Sequence, residues 1–390
     1  MFESILANVS FPTGSGMAWL VYSVLGWVYS WIGIYGLAII FFTLLLKLVM
    51  LPLDFGTKYF QKKNTMRMAE IQPELSQIAQ THAGDPMAMH RARQDVFRKH
   101  GYGMTGFCLF TLLHIGIMLF VFISVFQALN GVSSYNQNVQ FRELQAVYYE
   151  HRTNGTLDTD EFREDIRARY NETRTSFIWV HNIWQPDAMW SRRTLDFDGF
   201  RNAASGVQGS VFNAVNPETG ERYTVDALRT QYDLIFGQIP EHDQRLNGWL
   251  LLVFMAAATT YVSITLNMKI MKKSQADKPK PLEAAPGYSI RDAKLQTANG
   301  RNPQMPQMDP AQMGKIMKFM LPVVMILVTL FNTAALALYI TISSLISTGI
   351  AFGLNKLIDF ILKKEKEKTK KKKEEPNMTI INPHAKYFKK

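Results

Sequence analysis

One lysine, Lys47, stands inside an apolar run, YGLAIIFFTLLLKLVMLPLD, at residues 35–54. From Ser4 to Leu46 the chain carries no Asp, Glu, Lys or Arg. Read as a helix that leaves the hydrocarbon near Asp54, the run places Lys47 roughly 10 Å inside that boundary, at ~1.5 Å of rise per residue. A charge at that depth costs on the order of 3 kcal/mol unless a partner or water meets it. Thr43 lies one turn before Lys47, and Met50 and Asp54 lie one and two turns after, so the lysine heads a semi-polar stripe. Two readings stay open from this helix alone. The ammonium snorkels to the headgroups along its apolar stem, or it is kept in a wet cavity.

Four further apolar segments carry polar side chains on one face. Cys108, Thr111 and His114 fall at i, i+3 and i+6, as do Thr260, Ser263 and Asn267 apart from one step. Thr329 aligns with Asn332 or Thr333, and Thr341 with Ser344 and Thr348. Small hydroxyl residues on a single span are ordinarily packing contacts. Five stripes together with one lysine favour a shared, water-filled cavity. The segments hold no carboxylate, which speaks against a proton or ion pathway. Cys108 is the only cysteine, so the chain offers neither a disulfide framework nor a thiolate metal cluster, and no cofactor is implied.

The elements that must position these residues follow from the bunching of apolar residues. The expected fold is an all-α polytopic membrane protein with five spans, at residues 35–54, 105–129, 248–268, 319–334 and 335–357. Residues 1–34 read as an external N-terminus and an aromatic-rich helix, interfacial in preference to a sixth span, bent from the first span at Gly33 or Gly36. Residues 55–104 read as a cytoplasmic helical hairpin of 59–79 and 86–100, broken at THAGDP. Residues 130–247 form an inserted domain with twelve Arg, no Lys and seventeen Asp or Glu. Its segment 141–170 has helical charge spacing, and its Trp-, Gly- and Asn-rich remainder reads as loops and short strands, an α(+β) insert. A linker at 269–318 and a basic tail at 358–390 complete the chain. Lysines crowd the hairpin, linker and tail and avoid the insert, which places the N-terminus and insert outside and the C-terminus in the cytoplasm.

In that order, several short motifs resemble the YidC-type membrane protein insertases, a family shared with mitochondria and chloroplasts. They are KLVMLPL from Lys47, Gln72-Pro73-Glu74, Asp85-Pro86 and Arg98-Lys99-His100-Gly101. Gly106-Phe107-Cys108-Leu109 with Leu112-Leu113-His114, then Ala335 to Tyr339 with Ser343, Ser344 and Ser347, continue the pattern. The resemblance omits the insert. It implies a non-enzymatic insertase of the bacterial plasma membrane, whose polar groove receives nascent membrane proteins and releases them sideways into lipid. Lys47 takes the place of the groove arginine, joined by Thr43, Thr111, His114, Thr260, Ser263, Asn332 and Ser344. Met66, Met68, Met87 and Met89 of the hairpin become a capture surface for apolar clients. The tail lysines Lys370, Lys371, Lys372, Lys373, Lys386, Lys389 and Lys390 become contacts to the ribosome or to lipid, with the Sec translocon and an unknown partner of the insert as further associates. Lysine for arginine, His114 for a glutamine and Phe110 for a proline depart from the family pattern. A small-solute transporter or channel, and an envelope-anchored binding protein acting through the insert, are the competing readings.

Overall fold

The computed structural model describes residues 17–82, 85–100, 104–217, 219–276 and 310–374. Eleven helices are used below: α1 Met17–Ile32, α2 Tyr35–Thr81, α3 Pro86–Lys99, α4 Met104–Asn154, α5 Asp160–Thr173, α6 Phe197–Ala204, α7 Val225–Gly237, α8 Glu241–Gln244, α9 Leu251–Ala276, α10 Pro310–Leu330 and α11 Ala334–Glu374. α2, α4, α9 and α11 contain runs long and apolar enough to cross a membrane. The apolar part of α10, Lys318–Leu330, is shorter. This is a helical, multi-pass membrane protein.

Three helices run past the ends expected for them. α2 does not stop near Asp54 but carries on through Pro52 and Pro73 to Thr81, so the first hairpin arm continues the first apolar run. Proline removes one backbone donor and bends a helix, yet neighbouring turns hold it when the flanking residues are good helix formers. α4 likewise extends from Met104 to Asn154, and α11 to Glu374. The bend between α1 and α2 falls at Gly33, whose φ of +70° is the left-handed conformation that glycine adopts without a Cβ clash. The turn near Asn332 is as tight as its sequence suggests, with three residues between α10 and α11.

The chain forms two compact units. Among the described residues the first holds 17–50, 112–217, 219–269 and 310–348. Its larger core gathers Leu25, Ile39, Val125, Leu129, Ala256 and Leu336, all nearly or fully buried. α1 buries Val21, Tyr22, Leu25 and Val28 there and leaves Trp19, Trp27 and Trp31 exposed.

The insert builds a second core in the same unit. Tyr232 of α7 sits at its centre, with the rings of Phe141, Phe197, Phe200 and Phe236 at 4.3–5.6 Å between centroids. Each such burial contributes ~2–3 kcal/mol, which explains why a polar, Arg-rich segment folds at all. The helix expected over 141–170 is two helices. α4 ends at Asn154, Gly155 takes φ +69°, and Thr159 caps α5 by accepting from the Phe162 amide at 3.3 Å. The expected short strands are absent among the described residues. Only two isolated bridges occur, Phe177 with Val180 and Val215 with Arg222, because the intervening chain spends its backbone groups on caps and turns.

A loop of the insert, residues 175–191, ties it to the membrane helices. Asp187 is fully buried and accepts from the amides of Trp249 (2.8 Å) and Leu252 (2.7 Å), capping the start of α9. The carbonyls of Gln185 and Ile183 accept from Ala334 and Ala335 at 2.9 Å each, at the start of α11. Trp184 meets Tyr35, the first residue of α2, edge-on at 5.0 Å. Asn247 closes the loop, donating to the carbonyls of Asn182 (2.8 Å) and Pro186 (2.9 Å).

His181 on this loop is held below the ordinary histidine range, by burial first and then by Arg193 and Arg174, with Asp243 opposing. The unfolded chain therefore protonates His181 before the folded chain does. Stability supplied by the neutral ring is complete above about pH 6.5 and declines as pH falls through that value toward the depressed folded pKa. Thermal unfolding at pH 7.5 and pH 5.5 should show a lower Tm at the acid end, and His181→Gln should flatten that difference. An equal pH dependence in the variant would remove His181 as its source.

Among the described residues the second unit holds 51–82, 85–100, 104–111, 270–276 and 349–374. Here the polar half of α2 packs along the far half of α11. Phe55, Tyr59 and Met66 cover Leu354, Ile358 and Leu362. Lys62 pairs with Asp359, and the Tyr59 hydroxyl donates to Glu365 at 3.0 Å. At the hairpin, His100 Nε2 lies 2.9 Å from Glu74 and Lys99 Nζ 3.6 Å from it.

Candidate functional site

Within the first unit α2, α4, α9, α10 and α11 border one cavity of about 210 Å³. α2 brings Leu46, Lys47 and Met50; α4 brings Met118, Val121 and Phe122; α9 brings Thr260. α10 contributes Leu321 and Met325, and α11 Tyr339, Ile340, Ser343 and Ser344. Lys47 is the charged residue among these side chains and is only 6% exposed. Around it stand the hydroxyls of Thr260, Ser343, Ser344 and Tyr339. Thr260 and Ser344 are 3.3 Å apart across two helices, and Tyr339 is hydrogen-bonded to Ser343 one turn on.

The remaining lining is apolar, so the cavity is polar at one side rather than throughout. Three of its residues are methionines, whose flexible, polarisable side chains adapt to different occupants. Its volume suits several waters or a few side-chain atoms.

Of the residues singled out by sequence, Lys47, Thr260 and Ser344 meet in this cavity. The others do not line it. Thr43 is fully buried, and its hydroxyl donates to its own helix at the Ile39 carbonyl, 2.6 Å away. Thr329 and Thr341 do the same to Met325 (2.7 Å) and Ala337 (2.8 Å), and Thr348 to Ser344 (2.7 Å). This is how an isolated hydroxyl satisfies itself in an apolar helix, and it turns most of the stripes into packing details. The Asn332 amide donates to the Val328 carbonyl at 2.7 Å, and the Ser263 carbonyl accepts from Asn267 at 2.9 Å. His114 is half-buried on α4. Thr111 belongs to the second unit.

The hairpin methionines divide. Met66 packs inward, Met68 and Met89 are half-buried, and Met87 is exposed. Lys370, Lys371, Lys372 and Lys373 lie on the helical continuation of α11. Lys386, Lys389 and Lys390 fall outside the described residues. Among the described residues, no group of three or more His, Cys, Asp or Glu is placed to hold a metal ion.

Sequence reasoning missed Tyr339, Ser343, Met118 and Met325 as cavity residues, whereas Met50 stands on the Lys47 stripe read from the sequence. Tyr339 and Ser343 are spaced i, i+4, a signal that was readable. The methionines carry no such signal, because methionine on an apolar helix faces lipid, core and cavity alike.

The chain is similar in sequence to known membrane proteins. The protein named membrane protein insertase YidC in Clostridium tetani is 33% identical over 99 residues, covering 25% of this chain and 43% of that one. Its namesake in Fusobacterium nucleatum is 32% identical over 93 residues, 24% of this chain and 43% of its own. A Geobacter namesake is 34% identical over 110 residues, 28% of this chain and 19% of its own. The aligned stretches thus span less than half the length of these relatives. The family model of the 60Kd inner membrane protein matches residues 27–364. That match covers most of the sequence, and the chain belongs to the 60Kd inner membrane protein family.

Proposed function

We propose that this protein is a membrane insertase, built as a bundle of α2, α4, α9, α10 and α11 around the Lys47 cavity. The observation that carries this reading is the burial of one cation in a cavity that all five helices share. A lysine held at low dielectric attracts a carboxylate more strongly than one in water. The polar flank of a client is received beside Lys47, and its apolar helix partitions into lipid beside the bundle. Transfer of its apolar surface out of water supplies the driving force. No covalent bond is made or broken, and the protein acts as a chaperone rather than an enzyme.

The partners follow from this reading. Nascent membrane proteins are the clients and the bilayer is their destination. The lysines at the end of α11 suit the ribosome, by attraction to RNA phosphate. The Sec translocon and a partner for the insert are further candidates. The lysine distribution supports an N-terminus outside the plasma membrane and a C-terminus in the cytoplasm. The apolar side of α1, with exposed Trp19, Trp27 and Trp31, suits a helix lying in the interface.

Photo-crosslinking during translation of a single-span client tests the proposal. A crosslinker at Thr260 should capture the client's polar flank, and one at the exposed Leu119 of α4 should capture its apolar segment. Both signals should disappear once insertion is complete. Capture at Leu119 without any at Thr260 would discard the cavity as the receiving site.

A further inference from the structure

The loop that caps α9 and α11 also carries large apolar side chains that no other described residue covers. Ile178 is 74% exposed and Trp190 64%, and Met189 is exposed beside it. Asp187 fixes their level. Its carboxylate holds the amides of Trp249 and Leu252, so Met189 and Trp190 lie within a few residues of the point where the apolar run of α9 begins. Trp249, half-exposed, stands at that same point.

The turn that presents Ile178 is itself unusual. Phe177 and Val180 exchange both backbone hydrogen bonds at 2.9 Å around a two-residue turn, and Ile178 takes φ +54° at its first position. That position favours glycine, and a β-branched side chain there is strained. Strain that displays an isoleucine to water has no return within the fold.

Charge adds a separate observation. The insert as a whole has seventeen acids against twelve arginines. Between residues 175 and 195 its only acid is the buried Asp187, while Arg192 is exposed. An apolar, Trp-bearing and locally basic surface at the level of a helix entry matches the headgroup layer, where tryptophan rings and arginines are favoured.

We propose that this loop seats in the headgroup layer of the bilayer at the side where α9 begins, so that the insert lies on the membrane. The inference rests on α9 entering the membrane at its start and not on the insertase activity.

Nitroxide labels report depth directly. In a Cys108→Ser background, single labels would be placed through Ile178→Cys, Trp190→Cys, Trp249→Cys and Val215→Cys in the full chain. Val215 is an equally exposed apolar residue on the bridge to Arg222, among residues that pack on the insert's own core. In vesicles of phosphatidylcholine and phosphatidylglycerol, the ratio of oxygen to nickel-chelate accessibility should be several-fold higher at 178 and 190 than at 215, and close to that at 249. Values at 178 and 190 equal to 215 would overturn the proposal. That is the result given by a loop held in water or by one shaped for a protein partner missing from the vesicles. A value at 249 equal to 215 would overturn the entry point of α9 as well.

Discussion

Replacing Lys47 with alanine should lower insertion of clients with an acidic flank about tenfold in reconstituted vesicles. The magnitude comes from two opposed effects. A cation and a carboxylate at ~4 Å attract by ~4 kcal/mol at an effective dielectric of ~20. Stripping water from both offsets most of that gain. A remainder of ~1.4 kcal/mol corresponds to a factor of ten in rate. Lys47→Arg keeps the charge, and a cavity of about 210 Å³ has room for the larger head, so most activity should remain. Lys47→Glu reverses the field. It should depress acidic-flank clients further and favour the same client with a basic flank. That charge swap is the decisive comparison, since a folding defect would not reverse client preference. Equal insertion of both clients by all three variants would eliminate the electrostatic role of Lys47.

Asp187→Ala should destabilise the protein by about 3 kcal/mol, the sum of two hydrogen bonds to a charged acceptor at ~1.5–3 kcal/mol each, less relaxation. The carboxylate is fully buried and holds the amides of Trp249 and Leu252, so its loss leaves two donors at the start of α9 without an acceptor. Asp187→Asn should recover part of this, since one amide oxygen replaces two carboxylate oxygens. Gly248 makes a sharper test. A Cβ there would overlap Asp187 Oδ1, so Gly248→Ala should also destabilise. In the double variant the clashing atom is gone, and the combined loss should fall short of the sum. Thermal unfolding of the four proteins in one detergent gives the cycle. A change below ~0.5 kcal/mol for Asp187→Ala would show that water replaces the carboxylate and that the loop is not what closes α9.

The Asp187 prediction joins the insert to the membrane helices, and here sequence and structure part company. The sequence places the insert as a separate domain between two spans. In the structure α4 enters it without a break, and its 175–191 loop supplies the caps of α9 and α11. No pattern announces this. Asp187, Ile183 and Gln185 look like ordinary loop residues, and only the pairing of distant segments brings their polar atoms to helix ends.

By itself the sequence determined the helical class and the approximate places of the apolar runs, narrowed the first bend to Gly33 or Gly36, and singled out Lys47. These are local properties. A charge amid apolar residues and a glycine between two helical runs have meaning wherever the chain goes next. The tertiary structure decided which hydroxyls face the cavity. Helical spacing puts Thr43, Thr329 and Thr341 on polar stripes as surely as Thr260 and Ser344, yet the first three bond to their own helices. Thr260 and Ser344 meet each other across two helices. Periodicity assigns a residue to a face of its own helix. Which way that face turns depends on how five helices pack, and that is set by contacts between residues far apart in the chain.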